Sequence, residues 1–184
     1  MAIHAARAHA TWGASATERN WNCPGALALT MRLPETTSEA ADWGTCCHQL
    51  SEKCLRSGKD ANDFLGTIEK GKRFENEVDE EMAETAQLYV DYVRKRMADY
   101  KADTGQDATL WIEQKFSLES LKPPFDAGGT GDAVIYFPGW ETIEVVDLKG
   151  GRGVVVEVDE NKQTRTYALG AMLKNVGLSV SLIK

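Results

Sequence analysis

The sequence lacks an excess of positive charge. Its 21 lysines and arginines are outnumbered by 28 aspartates and glutamates, which gives a net charge of −7. A chain with this balance does not coat nucleic acid through a broad basic surface. A more local nucleic-acid site stays open, because a bound cation and a small basic patch can offset clustered acids.

The sequence also lacks a long apolar run and a cysteine framework. No run approaches the ~18 apolar residues that span a membrane, and the start MAIHAARAHATWG has no apolar signal-peptide core. The four cysteines have no repeated spacing, which is typical of a reducing compartment. These absences argue against a secreted or membrane-embedded protein and favour the cytoplasm.

What is present is enough for one core. With 184 residues, of which 42% are hydrophobic, the chain can bury a single sizeable core. We predict a flexible N-terminus over residues 1–14 and a single domain over residues 15–184. Within that domain we expect a helical part over residues 15–105 and a sheet core over residues 106–184.

Two helical patterns occupy the first half of the domain. The first covers residues 38–56, where apolar side chains recur at spacings of four, three and four and therefore face a core: Trp43, Cys47, Leu50 and Cys54. A polar connection over residues 57–71 follows. The second pattern, over residues 76–103, repeats apolar residues at three and four and also predicts a core-facing helix.

Strand patterns dominate the second half. Residues 109–118 alternate, which predicts Glu113 on one face and on the other Leu110, Ile112, Gln114, Phe116 and Leu118. The runs 133–137 and 142–148 flank the turn Pro138-Gly139-Trp140, which is typical of a hairpin. Further strands are predicted over residues 154–158 and 178–183, with a helix between them.

The hairpin gathers side chains that suit a metal site. Alternation places Ile143, Val145, Asp147 and Lys149 on one face and Glu144, Val146 and Leu148 on the other. Asp147 and Lys149 are then about 7 Å apart, and Asp132, at the start of the partner strand, can approach Asp147. Two carboxylates and an ammonium fit a hard divalent cation and an activated water. From these residues alone, a solvated surface group of two acids and a lysine remains an open alternative.

The order of several short motifs adds a resemblance. The runs GTGD, DLKGGRGV and NKQTRTYALGA occur in this order, on a strand, at a strand end and on a helix. This order resembles the PD-(D/E)XK nuclease superfamily, in particular the RecB-like exonuclease branch and a phage and prophage family within it. Gly44-Thr45-Cys46-Cys47-His48 resembles the Gly-Thr-x-x-His motif of the same branch. The resemblance implies an α/β fold with a restriction-endonuclease-like core, a central mixed sheet flanked by helices, and an N-terminal helical part.

The resemblance also implies roles for individual residues. A Mg²⁺ or Mn²⁺ ion would be held by the side chains of His48, Asp132 and Asp147 and by the backbone carbonyl of Leu148. Lys149 would orient the attacking water, while Gln163 and Tyr167 would contact the DNA backbone or brace Lys149. Glu113 is a candidate auxiliary acid. Three cations are candidate phosphate contacts, although a surface cation of this kind is more often simply solvated: Arg152, Lys162 and Arg165.

The implied function is a metal-dependent DNA nuclease, expected to be an exonuclease, in phage or prophage recombination inside a bacterial cell. Its partners would be DNA and a recombination protein such as a single-strand annealing protein. Two alternatives remain: a nucleic-acid-binding or recombination-accessory module that lost turnover, and a metal-dependent hydrolase of another phosphoester. Some relatives bind an iron–sulfur cluster through one early and three C-terminal cysteines. This sequence has no cysteine after Cys54, so we expect no such cluster.

Overall fold

The computed structural model of the protein describes residues 10–31, 33, 36–150 and 160–184. Arg152 and the strand predicted over residues 154–158 lie outside this described part. The first described elements are a two-residue strand β1 (Trp12–Gly13) and two short helices, α1 (Thr17–Asn22) and α2 (Gly25–Thr30).

Helix α3 (Glu39–Ser57) confirms the first helical pattern. Ser38 caps it by accepting a hydrogen bond from the Ala41 amide at 3.2 Å, and Gly58 ends it in the left-handed conformation at φ 74°. Both devices satisfy backbone groups that the helix ends leave unpaired. The predicted apolar stripe is buried as expected, with Cys47, Leu50 and Cys54 fully inaccessible.

Helix α4 begins later than predicted. It covers Glu80–Thr104, with the Asp79 carboxylate accepting a hydrogen bond from the Met82 amide at 2.8 Å as the N-cap. The predicted start at residue 76 is wrong because strand β3 (Glu75–Glu77) pairs antiparallel with β2 (Ile68–Lys70), which lies inside the predicted polar connection. The pairing of β3 with β2 depends on a partner about seven residues away, and the apolar periodicity used to predict helices contains no information about such a partner.

The main sheet is mixed and curls around its longest strand. Strand β4 (Thr109–Ser117) runs antiparallel along one edge of β5 (Ala127–Phe137). Along the other edge, β1 pairs parallel near the start of β5 and β6 (Thr142–Val146) pairs antiparallel near its end. Strand β7 (Leu182–Ile183) adds in parallel to β6 and is shorter than the predicted strand. The neighbours β1 and β6 therefore leave the middle of β5 without a ladder partner on that edge.

The β5–β6 hairpin is confirmed, with two corrections to its bounds. A short 3₁₀ turn, Pro138–Trp140, joins the strands, and Ala133 pairs with Val146. Asp132 does not start β5 but lies inside it, because the glycine-rich residues before it are also paired with β4. Strand β6 ends at Val146, so Asp147 and Lys149 follow the strand instead of belonging to it.

Strand β4 does not present a single face, and that prediction is wrong. Leu110 packs against the core formed by α3 and α4, whereas Phe116 packs with Tyr167 on the opposite side of the sheet. The cause is Glu113, whose backbone is left-handed at φ 53° and which has no ladder partner in β5. A left-handed residue turns the strand about its axis and shifts the alternation by one.

Helices cover both faces of the sheet. On one face α3 and α4 enclose the larger core with Ala133, Ile135 and Phe137. On the other face α5 (Lys162–Lys174) lies across β4, β5 and β6. Its Gly170 permits this approach, since a Cβ there would lie 2.0 Å from the Phe116 ring. Among the helices that the structure describes, none has both the length and the apolar character needed to cross a membrane.

Candidate metal centre

Two carboxylates lie side by side on neighbouring strands, and a third follows the end of the next strand. In the β4–β5 register, Ile112 pairs with Ala133, so Glu113 lies level with Asp132. In the β5–β6 register, Ala133 pairs with Val146, so Asp147 lies level with Asp132 on its other side. The strand order therefore brings these acids together although they are far apart in the sequence.

His48 joins these carboxylates from helix α3. Its Nδ1 lies 3.3 Å from Oδ2 of Asp132. Two glycines allow α3 to approach the segment after β6: a Cβ on Gly44 would lie 3.1 Å from the Gly150 carbonyl oxygen, and one on Gly150 would lie 3.3 Å from Cys47. This close contact between helix and strand end sets the height of His48 above the sheet.

His48, Glu113 and Asp132 form a group that can hold a cation. Each offers one ligand atom, and these atoms all lie within 4.8 Å of one another. Among the described residues, these three form the group of histidine and acid side chains whose ligand atoms lie this close to one another. An imidazole and two carboxylates suit Mn²⁺ and also accept Mg²⁺. Since small inward shifts would give ordinary metal–ligand distances, these side chains fit the predicted ion.

The charges in this group influence one another. Burial lowers the pKa of His48, but the hydrogen bond and charge of Asp132, with smaller contributions from Asp147 and Glu113, outweigh it and raise the pKa overall. Burial and the neighbouring Asp132 raise the pKa of Glu113. The metal-free protein therefore favours a proton in this group, and a divalent cation would replace that positive charge.

Asp147 belongs to a second group on the α5 side of the sheet. Its Oδ2 lies 2.6 Å from Nζ of Lys149, which also donates to Oε1 of Gln163 at 3.0 Å. The Gln163 amide in turn donates to the hydroxyl of Tyr167 at 2.9 Å and lies 3.5 Å from Oδ1 of Asp147. Asp147 and Lys149 thus lie on the same side of the sheet, as the alternation of β6 predicts, although both follow the last residue of that strand.

The two groups meet at a backbone amide. The N–H of Leu148 donates to Oδ2 of Asp132 at 2.7 Å, while Leu148 itself is buried in the α3–α4 core. This bond holds the segment after β6 against the unpaired edge of β5. Burial raises the pKa of Asp147 against the opposing Lys149, and the charge of Asp132 adds to this rise.

A groove opens beside the second group. It has a volume of about 790 Å³, and Asp147 and Lys149 form part of its wall together with Lys95 and Lys184. The Lys149 side chain is 45% exposed, whereas that of Asp147 is 7% exposed. An extended anionic ligand in this groove would therefore meet the ammonium before the carboxylate.

The remaining predicted residues are placed as follows. Tyr167 is buried, with its ring 5.8 Å from that of Phe116 in an edge-on contact, so its position suits a bracing role. Lys162 is paired with Glu18 at 3.0 Å, and Arg165 lies 3.5 Å from Glu160. Phosphate contacts by these two cations, like the carbonyl ligand expected from Leu148, stay predictions.

One residue at the site was not predicted to belong there. Tyr89 falls on the apolar stripe of α4, and the sequence assigns it to the core. It is buried, but it also lines a small cavity with His48, Glu113 and Asp132. A core tyrosine and a site tyrosine have the same helical spacing, so no local signal distinguishes them.

Comparison with known families adds one finding. The model of a family described as "Protein of unknown function (DUF2800)" matches residues 9–178. The match covers the described helices α1 to α5 and strands β1 to β6, and with them every residue of the candidate site. No solved structure matches the chain.

Proposed function

The chain belongs to the DUF2800 family, and we propose that it is a metal-dependent deoxyribonuclease with a PD-(D/E)XK site on a restriction-endonuclease-like core. The observation that carries this proposal is the bond from the Leu148 amide to Asp132. It joins the strand that carries the Gly129-Thr130-Gly131-Asp132 run to the Asp-x-Lys segment, with His48 on one side and Lys149 on the other. The two groups are separate in the sequence, and their contact at this amide supports the proposal.

The cation would be held by His48, Asp132 and Asp147, with the Leu148 carbonyl as a backbone ligand. A bound Mg²⁺ or Mn²⁺ polarises a phosphate oxygen and lowers the pKa of water. An imidazole in the ligand set favours Mn²⁺ over Mg²⁺, since Mg²⁺ prefers oxygen ligands alone. No iron–sulfur cluster is included in this proposal.

Lys149 is the residue placed to act on the reacting groups. Its ammonium is held by Asp147 at 2.6 Å and by the Gln163 carbonyl at 3.0 Å, so it stays at the wall of the groove. There it would orient the attacking water and stabilise the negative charge that develops on the phosphate. Because Gln163 is itself held by Tyr167, these two residues would brace Lys149.

The substrate class follows from the groove. A groove of about 790 Å³ has more room than a small phosphoester needs and can accept an extended phosphodiester. Lys184 in its wall would contact the backbone of the substrate, and so would Lys95 on release from Asp99, with which it pairs at 2.6 Å. We expect exonuclease action on DNA, with a single-strand annealing protein as a functional partner, in phage or prophage recombination in the bacterial cytoplasm.

The second candidate function is binding without turnover on the same fold, as in a recombination-accessory module. The observation that favours catalysis over this candidate is the Lys149 pair itself. A binding module needs exposed cations, but it does not need an ammonium fixed between a buried carboxylate and an amide. Such positioning is characteristic of sites where charge develops during a reaction.

The test is cleavage of linear and of circular DNA in Mg²⁺ and in Mn²⁺. We expect degradation of linear DNA that falls to background in Asp147→Ala and Lys149→Ala, with only the former also weakening Mn²⁺ binding. The exposed pair Lys101–Asp107, at 2.8 Å, provides matched controls. Asp107→Ala and Lys101→Ala remove the same charges from a distant surface and should cleave like wild type.

Three outcomes would count against the proposal. Wild-type cleavage by Asp147→Ala would exclude the nuclease assignment at this site. DNA binding without cleavage, at every metal tested, would favour the accessory module. Release of phosphate from small phosphoesters, with intact DNA, would favour a different hydrolase.

A further inference from the structure

We propose that Tyr89 and Glu113 complete the cation site: Glu113 is a further ligand, and the Tyr89 hydroxyl holds a water ligand on the enclosed side of the ion. This inference rests on the metal binding assumed in the proposed function. Neither the sequence motifs nor the family match assigns Tyr89 to the site. The left-handed backbone of Glu113 in β4 would serve to direct its carboxylate to the ion.

The first observation is the hydroxyl of Tyr89. The residue is only 7% exposed, and its oxygen has no hydrogen-bond partner among the described residues. A buried hydroxyl without a partner costs about 1–3 kcal/mol, whereas a phenylalanine ring would fill the same space without that cost. A tyrosine at this position therefore points to a ligand that satisfies its hydroxyl when the site is loaded.

The second observation is the cavity that this tyrosine lines. It lies between α3, α4, β4 and β5, and its wall includes His48, Glu113 and Asp132. Its room of about 10 Å³ is close to the minimum needed for one water molecule. The cavity thus has space for one water molecule, and its wall includes the three candidate ligands of the ion and the tyrosine with the unpaired hydroxyl.

The third observation is the backbone of Glu113. Regular alternation would send this side chain to the α5 face, away from His48. The left-handed conformation at φ 53° instead turns it toward the α3–α4 face, where it meets His48 and Asp132. Glutamate has no intrinsic preference for this conformation, and such strain persists where the surrounding structure imposes it.

Together these residues give the ion two unlike sides. The enclosed side carries His48, Glu113, Asp132 and a water held by Tyr89. The open side would be formed by the segment after β6, with Asp147 as the remaining side-chain ligand and Lys149 at the border of the groove. Substrate and attacking water can then bind only on the open side, beside the ammonium. Tyr89 acts as a positioning residue, since it would touch neither the substrate nor the reacting atoms.

The experiment compares two tyrosine variants of helix α4. Tyr89→Phe removes the unpaired hydroxyl, and Tyr92→Phe removes a hydroxyl that donates to Glu144 at 2.9 Å. Calorimetric titration with MnCl₂ measures the affinity, and thermal unfolding in EDTA measures the metal-free stability. We expect Tyr89→Phe to bind Mn²⁺ about tenfold more weakly, the lower end of losses from groups that hold metal ligands, while its metal-free melting temperature stays equal or rises.

The control should behave in the opposite way. Tyr92→Phe is expected to melt at a lower temperature in EDTA and to bind Mn²⁺ like wild type. Glu113→Gln should lose at least tenfold in affinity, whereas Glu52→Gln, which removes another carboxylate from the same cavity wall, should stay within about threefold of wild type.

The outcomes separate this inference from the proposed function. Unchanged Mn²⁺ affinity in Tyr89→Phe, or a lower melting temperature for it in EDTA, would overturn the role of Tyr89 and leave the nuclease proposal intact. Unchanged affinity in Glu113→Gln would overturn the role of Glu113. A wild-type protein that binds neither Mn²⁺ nor Mg²⁺ would overturn both proposals.

Discussion

Replacing Glu113 by glycine should make the metal-free protein more stable while it weakens metal binding. The left-handed backbone at φ 53° costs a residue with a side chain about 1–2 kcal/mol. Glycine adopts this conformation freely, but it loses about 0.5–1 kcal/mol more to chain entropy. Burial and the neighbouring Asp132 raise the pKa of Glu113, which means that the site disfavours its negative charge. Removing this charge with glycine should therefore also stabilise the metal-free protein.

The expected net gain is about 1 kcal/mol, which corresponds to a rise of about 2–4 °C in the melting temperature of a chain of this size. The stabilisation that a bound metal ion adds should become smaller in this variant. At a concentration 100 times its Kd, Mn²⁺ stabilises the wild type by about 2.7 kcal/mol. A variant that binds tenfold more weakly gains only about 1.4 kcal/mol at the same concentration.

The assay is thermal or urea unfolding of wild type and Glu113→Gly, once in EDTA and once in MnCl₂. Lys122→Gly is the matched control, because Lys122 is also left-handed at φ 53° but ends a 3₁₀ turn outside the site. It should show the same gain in EDTA and a full response to Mn²⁺. A Glu113→Gly protein that is clearly less stable in EDTA, or that keeps the whole Mn²⁺ response, would refute the reasoning.

Three further predictions concern pH, the core and the cysteines. The folded protein raises the pKa of His48. The stability that this group contributes to the metal-free protein is therefore full below the ordinary pKa of about 6.5 and is lost as the pH rises through the raised pKa. In urea titrations across this range, the free energy of unfolding should depend less on pH in His48→Gln than in the wild type. Glu144→Ala removes the carboxylate that binds the partly buried Arg96 at 2.8 Å, and it should cost about 1–3 kcal/mol in urea unfolding without changing Mn²⁺ affinity. A smaller loss would mean that water replaces the carboxylate. In a thiol titration of the native protein we expect only Cys23 to react quickly, because the other three cysteines are buried and burial raises the pKa of Cys47 to about 12. After denaturation we expect four titratable thiols and no iron. Stoichiometric iron in protein prepared without oxygen would contradict this prediction.

The sequence predicts those elements whose signals are local. The apolar stripe of α3 lies within the helix itself, and the β5–β6 hairpin is set by two apolar-rich runs around one short turn. The faces of β6 also follow from alternation, which is why the contacts of Asp147 with Lys149 and Gln163 agree with the predicted geometry. Each of these features depends on residues that are neighbours in the chain.

The errors arise where a distant partner overrides a local pattern. The helical pattern predicts a start of α4 four residues too early, because residues 75–77 pair with a strand that has little apolar character of its own. The alternation of β4 was read through Glu113 as if the backbone were regular, and a single left-handed residue reverses the faces beyond it. Propensity describes each segment alone and contains no information about such pairings.

The sequence by itself determined which residues are chemically suited to a metal site: Asp132, the Asp147-Leu148-Lys149 segment and His48 stand in motifs that can be found without a structure. Only the tertiary structure decided how they are grouped. Strand register places Glu113 and Asp147 on either side of Asp132, and the packing of α4 brings the hydroxyl of Tyr89 to the cavity beside them. The physical reason is that ligand geometry depends on distances of a few ångströms between separate elements, and those distances are fixed by register and packing and not by spacing along the chain.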